Sequence, residues 1–488
     1  MITVHDPFRD VPVFGRNRGL DAYGTWFYCH PDGGEALTAI EMMLAAVRGK
    51  DGTKGFQFGP SLWLYSNEIG PAKIRQAGTQ PKATFMTALW LGLAANPLWF
   101  EFYSVSFLMP EWEVEHRDNA LLGAMSDFHR RFAAPLLPAM HQMQRQKNES
   151  AFFIGMANKI FSESVISGYG KAIGNAFLNL LWKAHVPADC IFEDSIRAGE
   201  LKNYRQVFLY GATHLPEDVY KLLKEFQASG GRIITSRALA KYFPNAEVYE
   251  PDLSPIRFSS YYYINQKKGY DAATVYALQQ KTAGEIAAKF APEKSPAAWS
   301  SSHELYLRML ENGSCKYIFA KNDRRAYGDF LGKKYHAVFD GELPLEADII
   351  MDISSAAAVY DFASQKLVKH LPAAAGKRQI KMQFAPGEGK VLMVYERAVD
   401  KIQAMVNNNT LSFRILDAAG KKLPGIQPVQ IQVFSPDGRE SSFSCYAVAE
   451  NGAGSIPLNL GKNALAGKWT IKVTSPFSGH SCQVIKKM

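Results

Sequence analysis

The sequence predicts a multidomain chain in which mixed α/β structure gives way to all-β structure: a partial (β/α) barrel, a three-layer α/β/α domain, then two β-sandwiches. Three observations predict it. The chain has 488 residues, more than one hydrophobic core organises. Short apolar runs alternate with helix-period segments as far as about residue 310, as in parallel strands joined by crossover helices. From Gly313 the apolar period falls to two, with turn residues between short runs, which is the pattern of antiparallel sandwiches. The boundaries fall at 1–146, 147–310, 311–400 and 401–488.

Composition excludes several classes. Hydrophobic residues make up 47% and charged residues 21%, an ordinary globular balance. The net charge of +9 comes from scattered Lys and Arg with no run longer than two, so no nucleic-acid partner is expected. The five cysteines, Cys29, Cys190, Cys315, Cys445 and Cys482, form no CxxC pair, so neither a metal site nor a cofactor is expected. Cys445 and Cys482 share the last domain and either pair in an oxidising compartment or stay free thiols. No run of eighteen apolar residues offers a membrane span. The first ten residues lack a secretory pattern; localisation is secreted or periplasmic if a leader precedes them, otherwise cytoplasmic.

The first 146 residues read as β/α units. Residues 2–4 look like the end of a strand tipped by His5-Asp6, followed by an irregular loop over 7–19 with two prolines. TWFYC is a strand tipped by His30 and Asp32. A helix follows over about 35–48, on Leu37, Ile40, Leu44 and Val47, closed by Gly49. Next come a strand over 61–66 stopping at Asn67-Glu68, a helix over 83–94 that Asn96-Pro97 ends, and a strand over 98–104 carrying Glu101 and Tyr103. The tips His30, Glu68 and Glu101 lie 38 and 33 residues apart, the length of one β/α unit. A helical region over 119–144, broken at Pro135–Pro138, closes the series. Four strands make half a barrel, and an open half exposes two sheet edges. The expectation is therefore that the chain is the C-terminal part of a longer protein, carrying strands five to eight.

The segments LWLYSNEIGP and TALWLGLAANPLWFEFYS resemble the seventh and eighth strands of the catalytic barrel in the large clan of retaining glycoside hydrolases, and the multidomain beta-galactosidases among them in particular. The resemblance implies that Glu68, at the tip of strand seven, is the nucleophile; the family's acid/base glutamate belongs to strand four, which these residues do not include. Retaining hydrolysis needs two carboxyl groups roughly 5 Å apart. Glu101, on the neighbouring tip, is the other candidate carboxylate; Asp6, His30, Asp32, Asn67 and Tyr103 are candidates for binding sugar hydroxyls, and Trp63, with Trp26 and Trp99, for stacking on sugar rings. Plainer readings stand beside these. Glu68 caps a turn, Glu101 pairs with a base such as Arg75, His30 belongs to a Pro-Asp-Gly-Gly turn, and the tryptophans fill core.

Over 147–310, SAFFIGM, ADCIFED, RQVFLYG and RIITS read as strands, with helices over about 169–185 and 216–229, a flavodoxin-like arrangement. VPADCIFEDSI, YRQVFLYGATHLPEDV and EFQASGGRII resemble the trimerisation domain of those beta-galactosidases, which shares its fold with class I glutamine amidotransferases. An active amidotransferase carries a cysteine in the turn after the third strand; here that turn is Gly211-Ala212-Thr213-His214, so no thiol chemistry is expected. Cys190 is expected to be buried, and the domain to serve a homo-oligomer. YIFAKND, VYDFASQKLV and FAPGEGKVLMV resemble the sandwich that follows in such hydrolases. Residues 401–488 are similar to appended immunoglobulin-like domains, read either as a spacer or as a glycan binder through Tyr446 or Trp469. Two functions are carried forward: a retaining beta-galactosidase-like glycoside hydrolase acting on a carbohydrate, and a non-catalytic carbohydrate-binding or assembly scaffold.

Overall fold

The computed structural model describes residues 4–5, 22–27, 34–48, 55–60, 82–100, 119–161, 173–253, 272–292, 298–327, 339–461 and 463–487. The first unit is a sheet of four strands, β1 (Val4–His5), β2 (Ala22–Phe27), β3 (Gly55–Pro60) and β4 (Trp99–Phe100), all parallel and adjacent in chain order. Sequential parallel strands need a crossover between each pair. Two of these are α1 (Gly34–Val47) and α2 (Lys82–Ala94). Every residue of α1 from Ala36 to Ala46 is buried, because the helix lies between β2 and β3 on one side and the next unit on the other. Helix α2 is apolar on every face and therefore must be enclosed. It stops at Asn96, which takes a left-handed φ of 57° ahead of Pro97.

One expectation for this unit is corrected, and another falls outside the described residues. The strand expected at 61–66 lies outside the described residues; the strand seen here is Gly55–Pro60, where FQF pairs with Tyr23–Thr25 and Pro60 falls opposite Phe27. Proline is tolerated at a strand end because no further ladder N–H is needed there. The closing helix does not break at Pro135–Pro138. It runs through α3 (Asn119–Phe128), a π-turn at His129–Ala133 and α4 (Ala134–Met140), with Pro138 inside the last. The ladder slips just before the prolines, where the Ala134 N–H donates to His129 O.

The connector β5 (Gln144–Arg145) leads into β6 (Ser150–Phe153), α5 (Met156–Phe161), α6 (Ile173–Lys183), β7 (Ala188–Ile191), α7 (Glu193–Arg197), β8 (Gln206–Leu209), α8 (Glu217–Ala228), β9 (Arg232–Thr235), α9 (Arg237–Ala240), β10 (Glu247–Val248) and α10 (Ala272–Phe290). Strands β6 to β10 form one parallel sheet ordered β10-β9-β8-β6-β7, a doubly wound order with its reversal between β6 and β8.

The third unit is a two-sheet sandwich. One sheet, ordered β11-β16-β20-β19, contains β11 (Ala298–Ser300). The other, ordered β18-β17-β21-β13-β12-β5, contains β12 (Leu305–Asn312) and β13 (Cys315–Asn322). The remaining strands are β14 (Arg325–Tyr327) and β15 (Phe339–Glu342), which pair with each other as a two-stranded sheet, then β16 (Leu345–Met351), β17 (Ala358–Asp361), β18 (Lys366–Leu367), β19 (Leu371–Pro372), β20 (Arg378–Phe384) and β21 (Gly389–Tyr395). The connector strand β5 thus adds an edge to the sandwich, and the sandwich's own strands start at Ala298, ahead of residue 311.

The last unit has seven antiparallel strands: β22 (Lys401–Asn407), β23 (Thr410–Leu416), β24 (Ile426–Phe434), β25 (Cys445–Glu450), β26 (Ala453–Pro457), β27 (Lys468–Thr474) and β28 (Ser481–Lys487). Their order is β22-β23-β26-β25-β24-β27-β28, with β28 returning beside β22. One residue pair, Glu450↔Ala453, joins the three-strand side to the four-strand side. The sheet is therefore nearly closed and folded at that hinge. Cys445 and Cys482 sit on one row, Cys445↔Ile431↔Val473↔Cys482. Three strand spacings of about 4.8 Å put their backbones roughly 14 Å apart, beyond disulfide reach. Both are free.

One buried apolar cluster crosses all four units. It includes Leu37 and Ile40 of α1, Phe85 and Trp90 of α2, Phe177 and Leu181 of α6, Tyr317 and Tyr395 of the sandwich, and Ile431 and Val473 of the last unit. Trp90 stands edge-on to Phe128 at 5.2 Å and lies on Gly389 of β21, where a Cβ would come within 2.2 Å of the indole. Ile426 O accepts from Tyr317 Oη at 2.7 Å and from Tyr395 Oη at 3.0 Å, tying the last unit to the sandwich.

Candidate functional site

Because β1 to β4 are parallel and adjacent, the chain leaves all four at the same edge of the sheet. The segments holding the candidate residues begin there: Asp6 just after β1, His30 and Asp32 after β2, Asn67 and Glu68 after β3, Glu101 and Tyr103 after β4. Asp6, His30, Asp32, Trp63, Asn67, Glu68, Glu101 and Tyr103 themselves lie outside the described residues. Of the other tryptophans, Trp99 is half-buried on β4. Trp469 is core: its ring is 5% exposed and its Nε1 donates to Leu465 O at 2.9 Å, so it offers no glycan platform.

The turn after β8 is held by backbone and side-chain hydrogen bonds. Gly211 takes a left-handed φ of 76°, Ala212 is buried, and Asn158 Oδ1 accepts from the backbone N–H of Thr213 at 2.7 Å and of His214 at 2.8 Å. The side chain that would carry a nucleophile is a methyl group. Cys190 is buried on β7, and burial pushes its thiol up, so it stays protonated.

A second constellation was not singled out by sequence. A cavity of about 650 Å³ opens where the end of α1, the connector around β5, the β7 region and β12 meet. Arg48 follows α1 and donates through Nη1 to Tyr204 Oη at 2.8 Å and to Cys190 O at 3.1 Å; its Nη2 lies 3.3 Å from Asp189 Oδ2. Asp189 also accepts from Tyr204 Oη at 3.0 Å and Asn148 Nδ2 at 2.6 Å. Arg308 of β12 forms an ion pair with Glu41 of α1 and lies 4.3 Å over the Trp182 ring. Arg145 of β5 donates through Nε to Ala95 O at 3.0 Å; burial, with Arg308 beside it, pulls its guanidinium down to about 10. Burial holds Glu41 above the usual carboxylate range, against the pull of Arg308. His185, also on the wall, places Nε2 3.0 Å from Ser302 O, and burial takes its imidazole down to about 4. No local motif marks these residues, since they come together only through packing between units.

The fold and these sites define a multidomain protein of mixed α/β and β-rich units. No protein-family model and no curated protein matches the chain. Among solved structures, alpha-L-fucosidase isoenzyme 2 from Paenibacillus thiaminolyticus is similar at 11% identity and TM-score 0.47, over 70% of this chain and 60% of that one. A catalytic mutant of Gan42B, a GH42 beta-galactosidase from G. stearothermophilus, is similar at 11% identity and TM-score 0.47, over 80% of this chain and 61% of that one. The beta-galactosidase from Bacillus circulans sp. alkalophilus gives 10% identity and TM-score 0.41, over 77% and 63%. All three are glycoside hydrolases, and the chain spans about three-fifths of their length. At this identity and overlap the likeness assigns no residue a role.

Proposed function

We propose that the chain is part of a retaining glycoside hydrolase of the beta-galactosidase-like, multidomain type, with 1–146 a portion of its barrel. The observation that carries this reading is the sequential parallel sheet, whose four strands release the segments with Asp6, His30, Asp32, Asn67-Glu68 and Glu101 at one edge. That edge is where barrel chemistry sits. Glu68 is the nucleophile: its carboxylate attacks the anomeric carbon as the glycosidic C–O bond breaks, the departing aglycone oxygen takes a proton from the second carboxyl group, and water then hydrolyses the glycosyl-enzyme ester. Glu101 is the second carboxylate, and the hydroxyl-binding groups are Asp6, His30, Asp32, Asn67 and Tyr103, with Trp63 as a ring platform. Residues from 147 to the end of α10 form a flavodoxin- or amidotransferase-like domain serving a homo-oligomer, those from Ala298 to about 400 a sandwich, and 401–488 an immunoglobulin-like domain.

A 2-deoxy-2-fluoro-galactosyl probe should label Glu68, read by peptide mass spectrometry, and Glu68→Gln should lose aryl β-galactoside turnover by several orders of magnitude. Equal turnover by wild type and variant removes the nucleophile. The second reading, an assembly scaffold, is favoured by the core that runs unbroken through all four units. It predicts saturable glycan or self-association without hydrolysis.

A further inference from the structure

We propose that the outer face of the last unit, over β27, β28 and β22, is a docking surface for an acidic polysaccharide. The net charge is concentrated in this unit. Residues 401–488 hold ten Lys and Arg against four Asp and Glu, so they carry six of the nine net positive charges. No run along the chain announces this, because strand alternation gathers the charges onto one side. On β27, Trp469, Ile471 and Val473 point into the core, so Lys468, Thr470 and Lys472 face out. The ladder sets Lys468 opposite Lys487, Thr470 opposite Ile485 and Lys472 opposite Gln483. Lys401 and Met405 hold outer positions on β22, which lies beside β28. No outer position of these three strands is a carboxylate. Among the described residues none of the four lysines makes an ion pair. Glu440, which accepts from Gln432 Nε2 at 3.4 Å, lies across β24 from β27.

This arrangement costs the fold. Like charges directly opposite on a ladder are destabilising, and Lys468 with Lys487 is such a pair. Lysines on edge strands guard against edge-to-edge pairing, which accounts for Lys401 and Lys487. It does not account for Lys468 and Lys472, because β27 is interior, between β24 and β28. Local conflicts of this kind mark surfaces kept for binding. Four positions along a strand separate Lys468 from Lys472 by about 13 Å, so the charge is spread along an extended ligand and not focused on one group. Between the lysines, Thr470 and Gln483 offer neutral hydrogen-bonding groups to sugar hydroxyls. Ile485 and Met405, 60% and 61% exposed, suit the C–H faces of sugar rings. Lysine is a point charge without the guanidinium fork that grips phosphate in two places. The outer positions of these three strands also carry no aromatic side chain on which a base could stack. Both features favour an acidic glycan over a nucleic acid. The face is distinct from the barrel edge and does not depend on Glu68.

The test uses the full chain with polygalacturonate and dextran sulfate as probes, dextran as neutral control, and homopolymeric RNA and phosphatidylserine vesicles as other polyanions. Calorimetric titration should show saturable binding of at least one acidic polysaccharide, weakened by added KCl, and none of dextran. The double variant Lys468→Gln/Lys472→Gln should weaken that polysaccharide by about tenfold or more. Lys487→Glu turns the opposed pair into an ion pair, so it should keep or raise the free protein's unfolding midpoint while weakening the polysaccharide by about tenfold; the combination separates lost docking from lost folding. Glu68→Gln should bind as wild type does. The proposal is overturned if neither acidic polysaccharide binds saturably, if dextran binds as well, if RNA or vesicles bind more tightly than both polysaccharides, or if either lysine variant binds as tightly as wild type.

Discussion

At the residue scale the buried charges matter most. The Arg308–Glu41 pair joins β12 to α1 with side chains only 10% and 1% exposed. Removing one member of such a pair strands the other in a dry environment, at about 3–5 kcal/mol. Arg308→Met should therefore lower the unfolding midpoint sharply, and adding Glu41→Leu should recover most of the loss, read by thermal melts of single and double variants. His185 gives a pH prediction. Its ring, 6.1 Å from that of His303, is held neutral to about pH 4, whereas in the unfolded chain it takes a proton near 6.5. As pH falls between these values the unfolded state binds more protons, so stability present above about 6.5 is lost progressively down to about 4. His185 also has a left-handed φ of 56°, which asparagine tolerates. His185→Asn should flatten that part of the stability-versus-pH curve; an unchanged slope would show that other groups carry it.

At the element scale, close approach decides where side chains are forbidden. Gly389 on β21 faces the Trp90 indole of α2, and an added Cβ would lie 2.2 Å from it. Gly425, just before β24, has a φ of 90° and would place a Cβ 2.4 Å from Cys315 Cβ. Gly389→Ala should cost about 1–3 kcal/mol by overpacking. Gly425→Ala should cost more, since it adds backbone strain to the same kind of clash. Near-ultraviolet circular dichroism of Gly389→Ala should report a changed tryptophan environment, and wild-type spectra and midpoints for both would refute the packing described. The two helix ends set by Asn96-Pro97 and Gly230-Gly231 were legible because proline and glycine act locally. The strand Gly55–Pro60 was not: its run FQFGP holds glycine and proline, and it is the pairing with Ala22–Phe27 that makes it a strand.

At the scale of the whole molecule, the shared core makes the units interdependent. Removing residues 401–487 would expose Tyr317, Tyr395 and Cys315, whose polar atoms now meet Ile426 O, and the face of α4 that packs on β24 and β25. A chain ending at residue 400 should melt at a lower temperature and aggregate, whereas an unchanged midpoint for the remaining units would show that the contact is peripheral. Scanning calorimetry of the full chain should give strongly overlapping transitions in place of four separate ones.

The sequence by itself determined the alternation of elements, the parallel character of the first two units, the antiparallel character of the last two, and the missing thiol after β8. Each follows from period and from local chemistry within a few positions. Only the tertiary structure decided that β5 edges the sandwich, and that Arg48, Arg145, Asp189 and Arg308 converge on one cavity. Those outcomes depend on contacts between residues more than 40 and up to 267 positions apart, and no pattern along the chain encodes such a distance.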